Sequence, residues 1–187
     1  MSRGDAVLLS EDLQRVTIEQ LVRAVTLFGT AWTKAAVFEN LPPELFAAVN
    51  LELRTTLFQE VIEIIGRDQF SEVNELVPAV ENHLGSVPAE LHADFVMAIL
   101  KHAWSDARRG APAARRMLAE LPEPMVTAAL PRLDDKDFLY WYARQDAVQR
   151  FVSKYVKLAQ PQQEAKLKDL ITLPEREFRD KYYPDRF

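Results

Sequence analysis

Cysteine is absent from this chain of 187 residues, and only five residues are glycine. The lack of cysteine excludes disulfides, thiolate nucleophiles and metal centres built on cysteine ligands. Long apolar runs are missing too. Charged residues interrupt every apolar stretch of residues 1–20, and no later stretch reaches the roughly 18 uncharged apolar residues of a membrane span. We therefore expect no secretory leader, no membrane span and a cytoplasmic location.

Scarce glycine, few β-branched runs and abundant Leu, Ala, Glu and Arg favour helices over strands. Prolines and glycines divide the chain into periodic segments, which predict long helices over residues 18–39, 43–65, 88–109 and 135–159. The length suits one domain. We predict an all-α, single-domain, multi-layer helical bundle of six to eight helices over residues 1–187. A short HEAT-like α superhelix is the alternative, and residues 1–9 are expected to be flexible.

The first predicted helix carries one apolar stripe at helical spacing. Its members are Ile18, Leu21, Val22, Val25, Phe28, Trp32 and Ala36. Gly29 lies on this stripe, where a missing side chain would let another helix cross closely. Two aromatic residues of the stripe, together with two from the helix predicted at 88–109, are candidates for lining a ligand pocket between helices. These four residues are Phe28, Trp32, Phe95 and Trp104.

Charge is unevenly distributed along the chain, whose net charge is -5. Residues 39–94 contain eleven acidic and two basic residues, a net charge of -9, whereas residues 101–187 contain seventeen basic and thirteen acidic residues, a net charge of +4. Such a bipolar chain is suited to an acidic partner or to self-association, although solvated helix faces also segregate charge without function. The acidic total and the absence of a recognition motif disfavour nucleic-acid binding.

Four arginines surround a predicted corner between two helices. Arg108 and Arg109 end one helix, and Arg115 and Arg116 lie in the first turns of the next. Guanidinium groups bind phosphate or carboxylate in bidentate fashion, so this arginine corner is a candidate site for an anion or an acidic partner. A solvated corner that complements a helix C-terminus is the alternative.

A second apolar seam runs along the helix predicted at 135–159, on the side opposite its core stripe. Tyr140, Phe151 and Leu158 are its large members. Either another layer of helices covers this seam, or another molecule does. The seam is thus a candidate interface.

Catalytic and metal-binding signals are sparse. His102 and Asp106 lie one turn apart, the spacing of two metal ligands or of a base with its orienting carboxylate. His92 lies about 15 Å further along the helix, too far to join them. No phosphate loop, nucleophile elbow or metalloprotease pattern occurs. We predict no metal, no cofactor and no catalytic residue, with His102 and Asp106 as weak metal candidates.

Taken together, these patterns predict a non-enzymatic helical domain for protein–protein interaction: an adaptor, assembly or regulatory protein that binds a protein partner or a second copy of itself. The arginine corner and the Tyr140–Leu158 seam are its candidate surfaces. A helical binder of a small apolar or amphipathic ligand is the alternative. A metal-assisted enzyme around His102 and Asp106 is the third possibility.

Overall fold

The computed structural model describes residues 3–67, 70–105, 112–134, 146–158 and 161–184, and every regular element in these ranges is helical. The α-helices in chain order are α1 (Arg3–Phe28), α2 (Ala31–Asn40), α3 (Pro43–Ala47), α4 (Leu51–Arg67), α5 (Phe70–Val80), α6 (His92–Ser105), α7 (Pro112–Glu120), α8 (Glu123–Ala129), α9 (Asp146–Tyr155), α10 (Pro161–Thr172) and α11 (Glu175–Tyr182). Short 3-10 turns lie between these helices, at Glu81–Ser86, Ala89–Leu91, Leu130–Asp134 and Val156–Leu158. The predicted all-α class is confirmed.

The chain divides into two units, Met1–Leu91 and His92–Phe187. In the first unit, α1 packs against α2, α3 and α4, while α5 packs against α2 and α4. In the second, α6 packs against α7, α8 and α9, and α10 packs against α9 and α11. Helix stacking of this kind agrees with a multi-layer bundle. That the two units form one domain stays a prediction.

The described residues contain more α-helices than the predicted six to eight, because single predicted helices are broken. The helix expected at 18–39 begins at Arg3, ends at Phe28 and is followed by a separate helix, α2. Thr30 has extended backbone, and its hydroxyl accepts a hydrogen bond from the Thr33 N–H, as an N-cap does. Because α1 begins at Arg3, residues 3–9 are helical. Their predicted flexibility stays a prediction.

The break also changes which residues are buried. Of the predicted stripe, Val22 is fully buried, whereas Phe28 and Trp32 are exposed. Beyond the break, α2 buries a different set, namely Ala31, Lys34, Ala35, Val37 and Phe38. A helix restarted by its own cap has a new phase, so periodicity counted across Gly29 does not carry over.

The other predicted long helices are modified in similar ways. The helix expected at 43–65 consists of α3 and α4, separated at Asn50, whose side-chain oxygen accepts a 2.9 Å hydrogen bond from the Glu52 N–H. The helix expected at 88–109 opens with a 3-10 turn and continues as α6. In the one expected at 135–159, residues 135–145 and 159 lie outside the described residues, and the remainder consists of α9 and the 3-10 turn Val156–Leu158.

Aromatic rings form the core of the first unit. Phe38 lies with its ring centroid 5.2 Å from that of Phe46 and 5.6 Å from that of Phe58. Phe46 and Phe58 meet edge to face at 5.9 Å. These rings come from α2, α3 and α4, so one cluster joins three helices through apolar burial and favourable ring geometry.

A lysine is also buried in this unit. Lys34 of α2 is only 2% exposed, and its ammonium group donates hydrogen bonds to the carbonyl oxygens of Gly29 at 2.6 Å and Val25 at 3.3 Å. The same group forms an ion pair with the Glu60 carboxylate of α4 at 3.2 Å. A buried charge requires such partners, and together they connect the end of α1, α2 and α4.

In the second unit, Phe95 of α6 is fully buried. The Tyr155 hydroxyl of α9 donates a 2.9 Å hydrogen bond to the Leu121 carbonyl oxygen, which follows α7. Arg132 pairs with Asp94 of α6. These contacts attach α9 and the Leu130–Asp134 turn to the helices around α6.

Gly29 provides a test of the break. An added Cβ would lie 2.3 Å from the Val25 carbonyl oxygen and 2.7 Å from Thr33 Oγ1, too close for either contact. We expect Gly29→Ala to lower the free energy of unfolding by about 1–3 kcal/mol. Gly66 inside α4 has no atom within 4 Å of an added Cβ, so Gly66→Ala is the matched control and should be neutral or stabilising. Urea unfolding of both variants measures the difference, and equal effects would contradict this account.

Candidate functional site

The candidate metal ligands are only partly described. His102 is buried in α6, and Asp106 lies outside the described residues. Among the residues that the structure describes, no group of three His, Asp or Glu side chains is placed to hold a metal ion. The pair of His102 and Asp106 therefore stays a prediction.

A different histidine, His83, has a defined chemical environment. Its ring is buried against Phe38 and Phe46, with centroid distances of 5.2 Å to each. Its Nε2–H donates a 2.8 Å hydrogen bond to the Phe38 carbonyl oxygen, while Nδ1 is buried with no hydrogen-bond partner among the described residues. Burial lowers the pKa of His83 below 6.5, opposed by the Phe38 hydrogen bond and by Glu44. A neutral ring fits this place, so His83 is part of the core.

The arginine corner is half described. Arg115 and Arg116 are exposed in α7, and Arg108 and Arg109 lie outside the described residues. Arg115 and Arg116 both lie near the start of α7, and the anion or acidic-partner site formed with the other two arginines stays a prediction.

The Tyr140–Leu158 seam is represented by one residue. Phe151 is 2% exposed, and its ring lies 5.1 Å from that of Tyr155. The neighbours of α9 are α6, α7 and α10. Phe151 is therefore covered within the second unit rather than offered to a partner. Tyr140 and the side chain of Leu158 lie outside the described residues.

The four residues predicted to line a ligand pocket differ sharply in exposure. Phe28 is 86% exposed and Trp32 is 52% exposed, both in the first unit. Phe95 is fully buried in the second unit, and the side chain of Trp104 lies outside the described residues. Phe28 and Trp32 are thus surface residues and not walls of an enclosed pocket. Phe28 lies about 120° around α1 from buried Val22, and the break at Gly29 gives Trp32 a new phase in α2.

Exposed large apolar side chains gather instead on α1 and at the start of α2. Val16, Leu21, Leu27 and Phe28 of α1 and Trp32 of α2 are each at least half exposed. We call these five residues the α1 surface. Single exposed apolar residues are common, whereas here Leu27, Phe28 and Trp32 are exposed within six positions.

The α1 surface lies opposite the side that holds α1 in the fold. Val22 and Thr26 are buried, and by the 3.6-residue period they lie on the other side of the helix from Leu27. The Thr26 hydroxyl donates a 2.7 Å hydrogen bond to the Val22 carbonyl oxygen, so it is satisfied within its own helix. The helix is therefore apolar on two sides, of which one is used in the described fold.

A small cleft adjoins this surface between α1 and the start of α4. It has a volume of about 220 Å³ and is lined by Arg23, Thr26, Leu27, Asn50, Glu52, Leu53 and Thr56. The Asn50 N–H donates a 3.3 Å hydrogen bond to Glu19 Oε1, which ties the two helices together. The cleft is smaller than the roughly 300–1,000 Å³ of small-molecule pockets, and it carries charge on both walls.

Sequence reasoning missed this surface because it assigned Leu21, Phe28 and Trp32 to the buried stripe and predicted no second apolar row on α1. Val16, Gln20, Ala24 and Leu27 recur at spacings of four, four and three, and all are exposed. This second row was visible in the sequence. Only the structure shows that the row faces away from the described core.

Among the described residues, no helix combines the length and apolar character that crossing a membrane requires. Comparison of the chain with known protein families, with curated proteins and with solved structures finds no match.

The buried ring of His83 predicts a pH dependence of stability. Because its folded pKa lies below 6.5, the unfolded chain binds a proton more readily between the folded pKa and 6.5. The contribution of the neutral ring is complete above about pH 6.5 and is lost as the pH falls through this window. We expect His83→Gln to reduce the drop in unfolding free energy between about pH 7.5 and about pH 5.5, measured by urea titration. An unchanged drop would show that other groups cause it.

Phe151 and Ser153 in α9 form a matched pair for testing the seam. Phe151 is buried and Ser153 is exposed. A carboxylate at the buried position would be desolvated without a partner, so Phe151→Asp should lower the free energy of unfolding by about 3–5 kcal/mol. Ser153→Asp should change it by less than about 0.5 kcal/mol. A well-folded Phe151→Asp protein in thermal unfolding would show that Phe151 is a surface residue after all.

Proposed function

We propose that this chain is a non-enzymatic protein-interaction domain, of the adaptor, assembly or regulatory kind, that binds a protein through the α1 surface. The observation that carries the proposal is the 86% exposure of Phe28, between exposed Leu27 and exposed Trp32. Aromatic side chains at this exposure gain apolar burial only when another molecule covers them.

Packing within the first unit supports this proposal. Val22 and Thr26 already supply the buried contacts of the second half of α1, and Lys34 and Phe38 supply those of α2. Phe28 and Trp32 therefore contribute little to the described core. Large aromatic residues are also the side chains that dominate binding energy in protein interfaces, particularly next to a cleft that receives a partner's side chain.

The charge of the first unit narrows the kind of partner. Met1–Leu91 contains fourteen acidic and six basic residues, a net charge of -8, and one of the basic residues, Lys34, is buried. Such a surface repels the phosphates of nucleic acid. A protein partner is proposed, with the cytoplasm as the compartment.

The arginine corner supports a second surface, in the other unit. Arg115 and Arg116 are exposed on α7, and His92–Phe187 carries seventeen basic and fourteen acidic residues, a net charge of +3. An acidic protein partner is the proposed ligand there, since guanidinium groups pair with carboxylates. This surface is secondary because it lacks exposed apolar anchors among its described residues.

Site-specific photo-crosslinking tests the α1 surface. A photoreactive phenylalanine analogue placed at Phe28 should give a covalent protein adduct in cells, because the ring of this residue would lie in the interface. The matched control is the same analogue at Gln59, an exposed position of α4, where no adduct of equal yield is expected. Thermal unfolding verifies that both proteins are folded.

The yield of protein adducts decides the outcome. Adducts at Phe28 that disappear when Trp32→Ser is added would support the proposal, since an exposed substitution should alter stability by no more than about 0.5 kcal/mol. Equal yields at Phe28 and Gln59, or none at Phe28, would overturn it.

A further inference from the structure

We infer that the partner of the α1 surface is a second copy of this chain, with the two α1 helices packed antiparallel about a twofold axis near Val22. This inference rests on the proposed function and names its partner. Interfaces related by a twofold axis are self-complementary, so residue i meets residue j and j meets i. The second half of α1 has this property in its shape, its apolar side chains and its charges.

The exposed row along α1 is complementary to itself when reversed. Val16 lies at one end of the row, Leu27 lies at the other, and Gln20 and Ala24 lie between them. In an antiparallel pair, residues at equal distances on either side of Val22 face each other. Val16 then lies within about 1.5 Å, along the helix axis, of the partner's Leu27, and Gln20 meets the small Ala24. The bulky ends cover each other, and the small central residue lets the helices approach.

The residues on the two flanks of the row determine whether the two α1 helices pair antiparallel or parallel. By the 3.6-residue period, Glu19 and Arg23 lie on one flank, and Leu21 and Phe28 lie on the other. Antiparallel pairing brings like flanks together, whereas parallel pairing sets one flank against the other. A parallel pair would therefore place Glu19 and Arg23 against apolar Leu21 and Phe28, which desolvates charge without a partner.

Antiparallel pairing gives both flanks a partner. Glu19 of one copy and Arg23 of the other differ by only about 3 Å along the axis, within reach of a flexible arginine side chain. Two such pairs form, one on each side of the axis. On the other flank, Leu21 approaches the partner's Leu21. The Glu19 carboxylate accepts a 3.3 Å hydrogen bond from the Asn50 N–H, which holds it in place for this contact.

The net negative charge of the first unit opposes association of two copies. Each first unit carries -8, so two copies repel one another at long range. At physiological ionic strength this repulsion is screened beyond about 8 Å, whereas pairs in contact are screened less. The complementary contacts of Glu19 and Arg23 therefore decide the geometry, and apolar burial supplies the affinity.

A charge-reversal series tests the pairing by sedimentation over a range of concentrations. Wild type should dimerise. Arg23→Glu places like charges opposite each other at two symmetry-related contacts and should weaken the dimer about tenfold. Adding Glu19→Arg to Arg23→Glu restores opposite charges, and the double variant should recover most of this loss. Failure of the double variant to recover, with circular dichroism showing it folded, would overturn the assigned contact.

Disulfide trapping tests the direction, and the absence of native cysteine makes every disulfide intermolecular. A mixture of the Gln20→Cys and Ala24→Cys variants should form crosslinked heterodimers faster than either variant alone forms crosslinked homodimers. Only the mixed pair brings the Cα atoms of the two cysteines within about 7 Å of each other. Faster crosslinking of each variant alone would indicate parallel pairing and overturn the inference.

The outcomes separate the inference from the proposed function. A wild type that remains monomeric at all concentrations overturns pairing with a second copy. If the crosslinker at Phe28 then captures a different protein, the interaction function stands with another partner. If it captures nothing, both fail. An adduct of twice the chain mass supports both.

Discussion

The ammonium group of Lys34 is the contact on which the first unit depends. It lies in α2, donates to the carbonyl oxygens of Val25 and Gly29 at the end of α1, and pairs with Glu60 of α4. The terminal carbonyls of a helix carry partial negative charge, so a cation is favourable at this position. Lys34 supplies a hydrogen bond to the Gly29 carbonyl oxygen and a second one to that of Val25, which already accepts a 2.8 Å hydrogen bond from the Gly29 N–H. One side chain therefore ends α1, orients α2 and attaches both to α4.

Local rules predicted much of this architecture. Helix composition indicated the all-α class, and Pro43 marked the start of α3 correctly, since proline is tolerated in the first turn of a helix. The break at Gly29 was missed because the apolar period appeared to continue through it. Thr30 signalled a new helix start, but a lone threonine is a weak cap signal. Lys34, whose ammonium group bonds to the end of α1, looks like an ordinary surface lysine in the sequence, and only three-dimensional contacts show that it is buried.

The sites were less predictable than the fold, because their contacts join distant parts of the chain. His83 is defined by Phe38 and Phe46, some forty positions away, so nothing beside it in sequence indicated a buried ring. For Phe151, the local sequence was informative but incomplete. Its spacing correctly indicated an apolar side of α9, yet periodicity cannot say whether that side is covered by α7 and α10 or by another molecule.

The exposure of the two aromatic rings has two origins in the helix geometry. Phe28 is the last residue of α1 and lies about 120° around the helix from buried Val22, beside exposed Leu21, so it faces outward within α1 itself. Trp32 lies in α2, where the restart at Thr30 gives the inward places to Lys34, Ala35 and Phe38 and leaves Trp32 outside. Because the buried ammonium group of Lys34 holds that restart against the end of α1, the exposure of Trp32 depends on the contact that orders the core.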